Sequence, residues 1–177
     1  METRAVCGSL HGPNFGLLLG LSKREGRGSE LSLFGTTSQW VWDNLAEVPR
    51  LNEDHARFQN LKSALHHSDD FGDPLAVQAQ CAGIALLYAL QIRKSSDLDE
   101  ASWSAQQVVG AIENYLFFAA EVSGYDLPNG YENVLLVREL DKQTEDAHLL
   151  GSLNRLDQIT IGSIRTRNRL FAVPIAI

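Results

Sequence analysis

The stretch that starts at Pro74 constrains the fold most, because apolar residues cover nearly its whole circumference when it is read as a helix. Asp73 is suited to cap this helix and Pro74 to its first position. Arg93 and Lys94 close it at the end where the helix dipole favours cations. A helix with so small a polar face has to be surrounded by other helices. We therefore predict that helix 74–94 is the centre of an all-α domain.

Helical periodicity predicts four further helices, at about 38–45, 52–66, 98–123 and 131–154. Capping or helix-ending residues bound these segments, as Pro49 does after the first of them. The chain has 177 residues, which suits one domain, and it contains no linker that would divide two. The sequence thus predicts a single-domain bundle of five to six helices.

Both ends of the chain depart from this helical pattern. Residues 1–36 hold half of the 14 glycines, which lower helix propensity, so we expect an irregular segment packed on the domain. The helical domain itself is predicted to span 37–155. From 156 to 177 the apolar residues are mostly β-branched or aromatic and Pro174 opposes a helix, which favours a short extended or flexible tail.

Charge is distributed unevenly along the chain. The sequence has 15 Lys and Arg against 22 Asp and Glu, a net charge of −7 that repels phosphate backbones. Three arginines near the end, Arg165, Arg167 and Arg169, are too few for a nucleic-acid interface. We expect these arginines to lie on a solvated edge or to pair with acidic residues of the domain, and we disfavour nucleic acid as a partner.

Cysteine spacing and hydropathy restrict the other partners. Cys7 and Cys81 form no C-x-x-C motif, so neither a zinc knuckle nor a redox motif is predicted, and both thiols are expected to be reduced. No uninterrupted apolar run reaches about 18 residues, so we expect no membrane span. These features are typical of a cytoplasmic protein.

Three motifs resemble a known bacterial family. They are Pro13-Asn14-Phe15 with Val41-Trp42-Asp43-Asn44-Leu45 downstream, Ser68-Asp69-Asp70-Phe71 before the alanine-rich helix, and Glu139-x-x-x-Gln143 followed by Leu149 and Leu150. In this combination the sequence is similar to the YjaG-like family, also called domain of unknown function 416. The resemblance implies an all-helical cytoplasmic protein with no established biochemical activity, and it supplies no catalytic residues.

The densest cluster of metal-ligating residue types lies just before the central helix, in the His66–Asp73 loop. It contains His66, His67, Asp69 and Asp70. Imidazole and carboxylate groups bind divalent ions, so a metal-binding protein or a metal-dependent enzyme is the alternative function. The same residues suit structural roles, since histidines favour a helix C-terminus and aspartates cap helices and turns. We favour the structural interpretation and predict no cofactor, with a divalent metal as the alternative.

A second metal alternative is the pair Glu145 and His148, which share one helix face at positions i and i+3. A di-iron carboxylate site would need a second Glu-x-x-His motif, and the sequence contains none. Because 22 acidic residues and five histidines make one such match expected by chance, we interpret the pair as surface residues.

No catalytic or cofactor-binding residue is predicted, because the sequence has no nucleophile motif and no phosphate-binding glycine motif. We therefore expect a non-catalytic protein that binds another protein, or a second copy of itself, through an acidic surface. Phe117 and Phe118 are adjacent and so lie about 100° apart on a helix. Both cannot sit centrally on a narrow apolar stripe, so we expect one of them to face a partner or a groove.

Overall fold

The computed structural model describes residues 28–65, 76–95, 97–123, 129–153 and 156–170, and these residues form helices and their connections without a strand. The helices are α1 (Gly28–Asp43), α2 (Leu51–Ala64), α3 (Ala76–Ser95), α4 (Leu98–Ser123), α5 (Asn129–Gly151) and α6 (Gln158–Leu170). The predicted all-α bundle of five to six helices is confirmed.

Helix α3 lies at the centre of the bundle, as its all-round apolar sequence predicts. Its most extensive contacts are with α4, and it also packs against α1 and α2. Ala85, Ala89 and Leu90 are almost fully buried, and only Lys94 and Ser95 are exposed among its described side chains. The predicted and observed bounds of this helix differ by two residues or fewer.

Close approach of α1 and α2 to the central helix depends on Gly83 of α3. A Cβ atom at this position would lie inside van der Waals distance of Leu65 Cδ1 and 3.0 Å from Cε1 of Phe34. Phe34 is 3% exposed and belongs to the hydrophobic core together with Val41, Trp42 and Leu61. A larger residue at Gly83 would therefore push α1 and the end of α2 away from α3.

The prediction of an extended tail is wrong for residues 158–170, which form α6. Asp157 caps this helix, since its Oδ1 accepts a hydrogen bond from the Thr160 amide at 2.8 Å. Ile161 and Ile164, which share one face of α6, are 4% and 3% exposed and belong to the main core. Core packing of that face thus overrides the weak helix propensity of β-branched residues. Residues 171–177 lie outside the described part.

The N-terminal prediction needs a similar correction. Residues 28–36, expected to be irregular, belong to α1, which begins ten residues before the predicted helix start. Phe34 and Thr37 of this added segment are buried, so packing stabilises the helix despite Gly28 and Gly35. The glycine-rich residues 1–27 lie outside the described residues.

Candidate functional site

A buried polar cluster joins the start of α2 to the end of α3. Asp54, 1% exposed in the first turn of α2, accepts three hydrogen bonds. Its Oδ1 accepts from the Trp40 indole at 3.0 Å and from Nε of Arg93 at 3.2 Å, and its Oδ2 accepts from the Arg50 amide at 3.1 Å. The carboxylate therefore caps α2 and neutralises a buried arginine at the same time.

Arg93 extends this cluster to α1. Its Nη1 donates to the backbone carbonyl of Asn44, whose side-chain amide in turn donates to the Trp40 carbonyl at 2.9 Å. Its Nη2 is buried and has no hydrogen-bond partner among the described residues. Arg93 is 8% exposed and lies 39 residues from Asp54 in sequence. Because Trp40 near the end of α1 and Asn44 just after it also bond to this pair, the cluster fixes α1, α2 and α3 against one another.

The indole of Trp40 contacts two further arginines beside this cluster. The guanidinium carbon of Arg57 lies 4.2 Å from the ring centroid and that of Arg50 lies 5.5 Å from it, both within cation–π distance. Trp40 is half-buried, whereas Trp42 is buried in the core. The two neighbouring tryptophans thus have different roles, one in the polar cluster and one in the apolar core.

A cavity of about 260 Å³ opens beside the cluster, between α2 and the C-terminal end of α3. Asp54 and Leu90 are its buried members, and Phe58 and Gln91 are half-buried. Its exposed rim consists of four residues, two from each helix. They are His55, Gln59, Lys94 and Ser95.

Gln91 connects the cavity to a buried acid at the start of α4. Its Nε2 donates to Glu100 Oε1 at 2.5 Å, and Glu100 is 5% exposed. Burial raises the pKa of the Glu100 carboxyl, the hydrogen bond from Gln91 opposes this effect, and the charges of Asp97 and Asp99 add to it. The second oxygen, Oε2, has no hydrogen-bond partner in the described part of the chain.

A second set of buried charges lies on α5, where Lys142 Nζ donates to Glu139 at 2.9 Å and each side chain is 7% exposed. One turn further on, Asp146 pairs with Arg167 of α6. This pair connects the last two helices through a carboxylate that is 1% exposed.

The C-terminal arginines pair with acidic residues of the bundle, as one of the two expectations for them states. Arg165 lies 3.6 Å from Asp43 and also contacts Gln39, while Arg167 pairs with Asp146 and lies 3.7 Å from Glu145. The side chain of Arg169 is outside the described set.

The predicted metal candidates divide into two groups. His66, His67, Asp69 and Asp70 lie outside the described residues, so the metal site in their loop stays a prediction. Glu145 and His148 are exposed on α5, and Glu145 is directed to Arg167. Within the described ranges no three His, Cys, Asp or Glu side chains converge as metal ligands would.

Large apolar side chains are exposed on α4, the acidic helix that packs on the central one. Phe117 is 64% exposed and Trp103 43%, while the Trp103 ring contacts Tyr88 of α3 at a centroid distance of 5.6 Å. The exposure of Phe117 agrees with the expectation that Phe117 or Phe118 faces outward. The Phe118 side chain is outside the described set.

The arrangement of the helices is similar to that of a protein whose structure has been solved. A crystal structure of a DUF416 family protein from Shewanella baltica OS155 matches 94% of this chain and 85% of its own length, with a TM-score of 0.63 and 15% sequence identity. The chain has the DUF416 fold. This confirms at the level of architecture the resemblance that the sequence motifs predict, and it carries no activity with it.

Comparison of the sequence with known families and curated proteins finds no match that would indicate a function. No protein-family model matches the sequence, and no curated protein matches it. None of the helices within the described ranges combines the length and apolar character needed to cross a membrane.

Proposed function

We propose that this protein is a non-catalytic binding protein whose helix α4 holds an amphipathic, basic helix of another protein. The observation that carries the proposal is the exposure of Phe117 and Trp103 on α4. Large exposed apolar side chains that share a surface are typical of protein-binding sites.

The spacing of these residues supports a helical partner. Trp103, Gly110 and Phe117 recur every seven residues and therefore lie along one side of α4, which we call the α4 face. A Cβ atom at Gly110 would meet nothing within 4 Å, so the middle of the face is open between two aromatic side chains. Such a surface suits a helix that places an apolar residue over the glycine.

The charge of α4 supports a basic partner. The helix contains no Lys, Arg or His, and its acidic residues Asp99 and Glu113 are exposed, each one turn before an aromatic residue of the face. Lysine or arginine residues that flank the apolar positions of a partner helix would meet these carboxylates. Complementary charge of this kind selects partners and accelerates their association.

Site-specific photo-crosslinking in the native host tests the proposal. A photoreactive phenylalanine analogue replaces Phe117, and the same analogue at Ile159, which is 81% exposed on α6, serves as the control. We expect a conjugate with a second protein from position 117 only. The purified partner should then bind the isolated chain and lose at least tenfold in affinity when Glu113 is changed to Lys.

Two results would contradict this proposal. One is equal crosslinking from positions 117 and 159, which would indicate non-specific contact. The other is a conjugate of twice the mass of the chain, which would show that the bound partner is a second copy of this chain.

We also propose that the protein functions in the cytoplasm. Cys81 is a free thiol in the described part of the chain, and burial raises its pKa, so the unreactive protonated form is favoured. A half-buried, unpaired thiol is compatible with a reducing compartment.

A further inference from the structure

We propose that the cavity between α2 and the C-terminal end of α3 binds a small organic carboxylate. In this arrangement the carboxylate group contacts Lys94 and His55 at the rim, and the apolar part of the ligand contacts Phe58 and Leu90. The site uses residues of α2 and α3 and none of the α4 face, so it is independent of the proposed function.

Among the lining residues of the cavity, the charge of Lys94 favours an anion. Asp54 is the acidic residue of the lining, and its charge is neutralised by Arg93 at 3.2 Å. Its two oxygens already accept three hydrogen bonds, so Asp54 has little capacity left to bind a cation. Lys94 is exposed and makes no ion pair with a described residue, which leaves a positive charge at the rim of a chain whose net charge is −7.

The volume and the apolar lining of the cavity favour a small ligand with an apolar part. Its volume of about 260 Å³ is below the range of sites for drug-sized molecules, which begins at about 300 Å³. Phe58 presents an aromatic ring and Leu90 a buried aliphatic side chain. A single lysine suits a monoanionic carboxylate better than a phosphate dianion, which needs several donors.

Hydrogen bonds hold two polar lining residues in place. Gln91 Nε2 donates to Glu100, which leaves the Oε1 of this amide as an acceptor. The Ser95 hydroxyl donates to the Gln91 backbone carbonyl at 3.0 Å. Because these side chains are positioned without a ligand, binding would cost little conformational entropy in this wall.

Benzoate is the probe that tests the site, and benzamide is its neutral counterpart of similar shape. Each is titrated into the ¹⁵N-labelled full chain, and amide shifts are followed by NMR. We expect benzoate to shift the amides of both cavity walls in a saturable way, with at least tenfold weaker binding in Lys94→Met and unchanged binding in Lys62→Met. Lys62 is exposed on α2 outside the cavity, so it controls for general attraction of anions.

Three results would overturn the inference. They are absence of saturable shifts at the cavity, equal binding of benzamide and benzoate, and equal loss of binding in the two lysine variants. Both lysines are exposed, so both variants are expected to fold, and the amide spectrum without ligand verifies this.

Discussion

The polar cluster around Asp54 buries charged side chains, whereas the α4 face exposes large apolar side chains. At the cluster, a carboxylate and a guanidinium are buried, and the carboxylate accepts hydrogen bonds from α1, from α3 and from the connection before α2. On the α4 face, Phe117 and Trp103 are exposed to water. The first arrangement holds helices together, because removing either charge would leave the other buried without its partner. On the second, most of the Phe117 side chain makes no contact within the described part of the chain, which is why we assign binding to this face.

The largest expected effect is at the polar cluster. Changing Arg93 to Met would leave the Asp54 carboxylate buried without its counter-ion, and we expect the free energy of unfolding to fall by about 3–5 kcal/mol. Urea denaturation followed by circular dichroism measures this loss. Lys62→Met, an exposed change on α2, should alter stability by less than about 0.5 kcal/mol. A loss at Arg93 no larger than that of the control would show that the cluster does not hold the helices together.

A smaller effect is expected where α6 joins α5. Arg167 is 30% exposed in its side chain, so water partly compensates when it is changed to Met, and we expect a loss of about 2 kcal/mol because the buried Asp146 carboxylate loses its ion pair with this arginine. Glu145→Gln is the matched control, because Glu145 is 65% exposed and lies 3.7 Å from the same arginine. Thermal unfolding of both variants should separate them. Equal melting temperatures would mean that the Arg167–Asp146 pair holds α6 no more strongly than the exposed contact with Glu145 does.

We expect the stability of the chain to depend on pH through the buried carboxyl of Glu100. Burial raises the pKa of this carboxyl in the folded state above its ordinary value of 4.5, so the folded chain binds the proton more tightly than the unfolded chain. The stability that Glu100 contributes is therefore present at low pH and is lost as pH rises above about 4.5 through the folded pKa. Glu100→Gln removes this titration, and the variant should gain stability relative to the native chain as pH rises above about 4.5. A pH-independent difference in denaturation midpoints would contradict the assignment.

The smallest effect on stability is expected at the α4 face. Phe117→Ser removes a side chain that is 64% exposed, so we expect a change of less than about 0.5 kcal/mol in unfolding free energy. Leu116→Ser is the neighbouring control, because Leu116 is 1% exposed and its loss should cost several times more. A large loss of stability at Phe117 would mean that this ring packs on the chain itself.

Much of the fold could be predicted from the sequence, because one physical signal dominates it. Apolar residues on every side of helix 74–94 require surrounding helices, and α4 has the predicted bounds of 98–123. Helix α6 was missed because Ile161 and Ile164 indicate an extended segment by propensity, while their helical spacing becomes decisive only once a core exists to receive them.

The candidate sites were less accessible to sequence reasoning. Asp54 and Arg93 are 39 residues apart, and each already has an ordinary local explanation as a first-turn acid and a last-turn base. Their pairing depends on the antiparallel packing of α2 and α3. On α4, by contrast, the adjacency of Phe117 and Phe118 predicts an outward phenylalanine, since a helix cannot direct both side chains to one narrow apolar stripe.

Accessibility of the α4 face in the cell tests the central claim most directly. Asn114→Cys lies one turn from Phe117 and changes neither an aromatic nor an acidic residue of the face, and Asn52→Cys on α2 is its exposed control, both in a chain with Cys7 and Cys81 replaced by Ser and Ala. Maleimide labelling is compared between the purified chain and intact cells. We predict that the thiol introduced at position 114 reacts rapidly in the purified chain and is protected in cells, while the thiol introduced at position 52 reacts similarly in both. Equal reactivity of position 114 in the two settings would contradict the assignment of binding to this face.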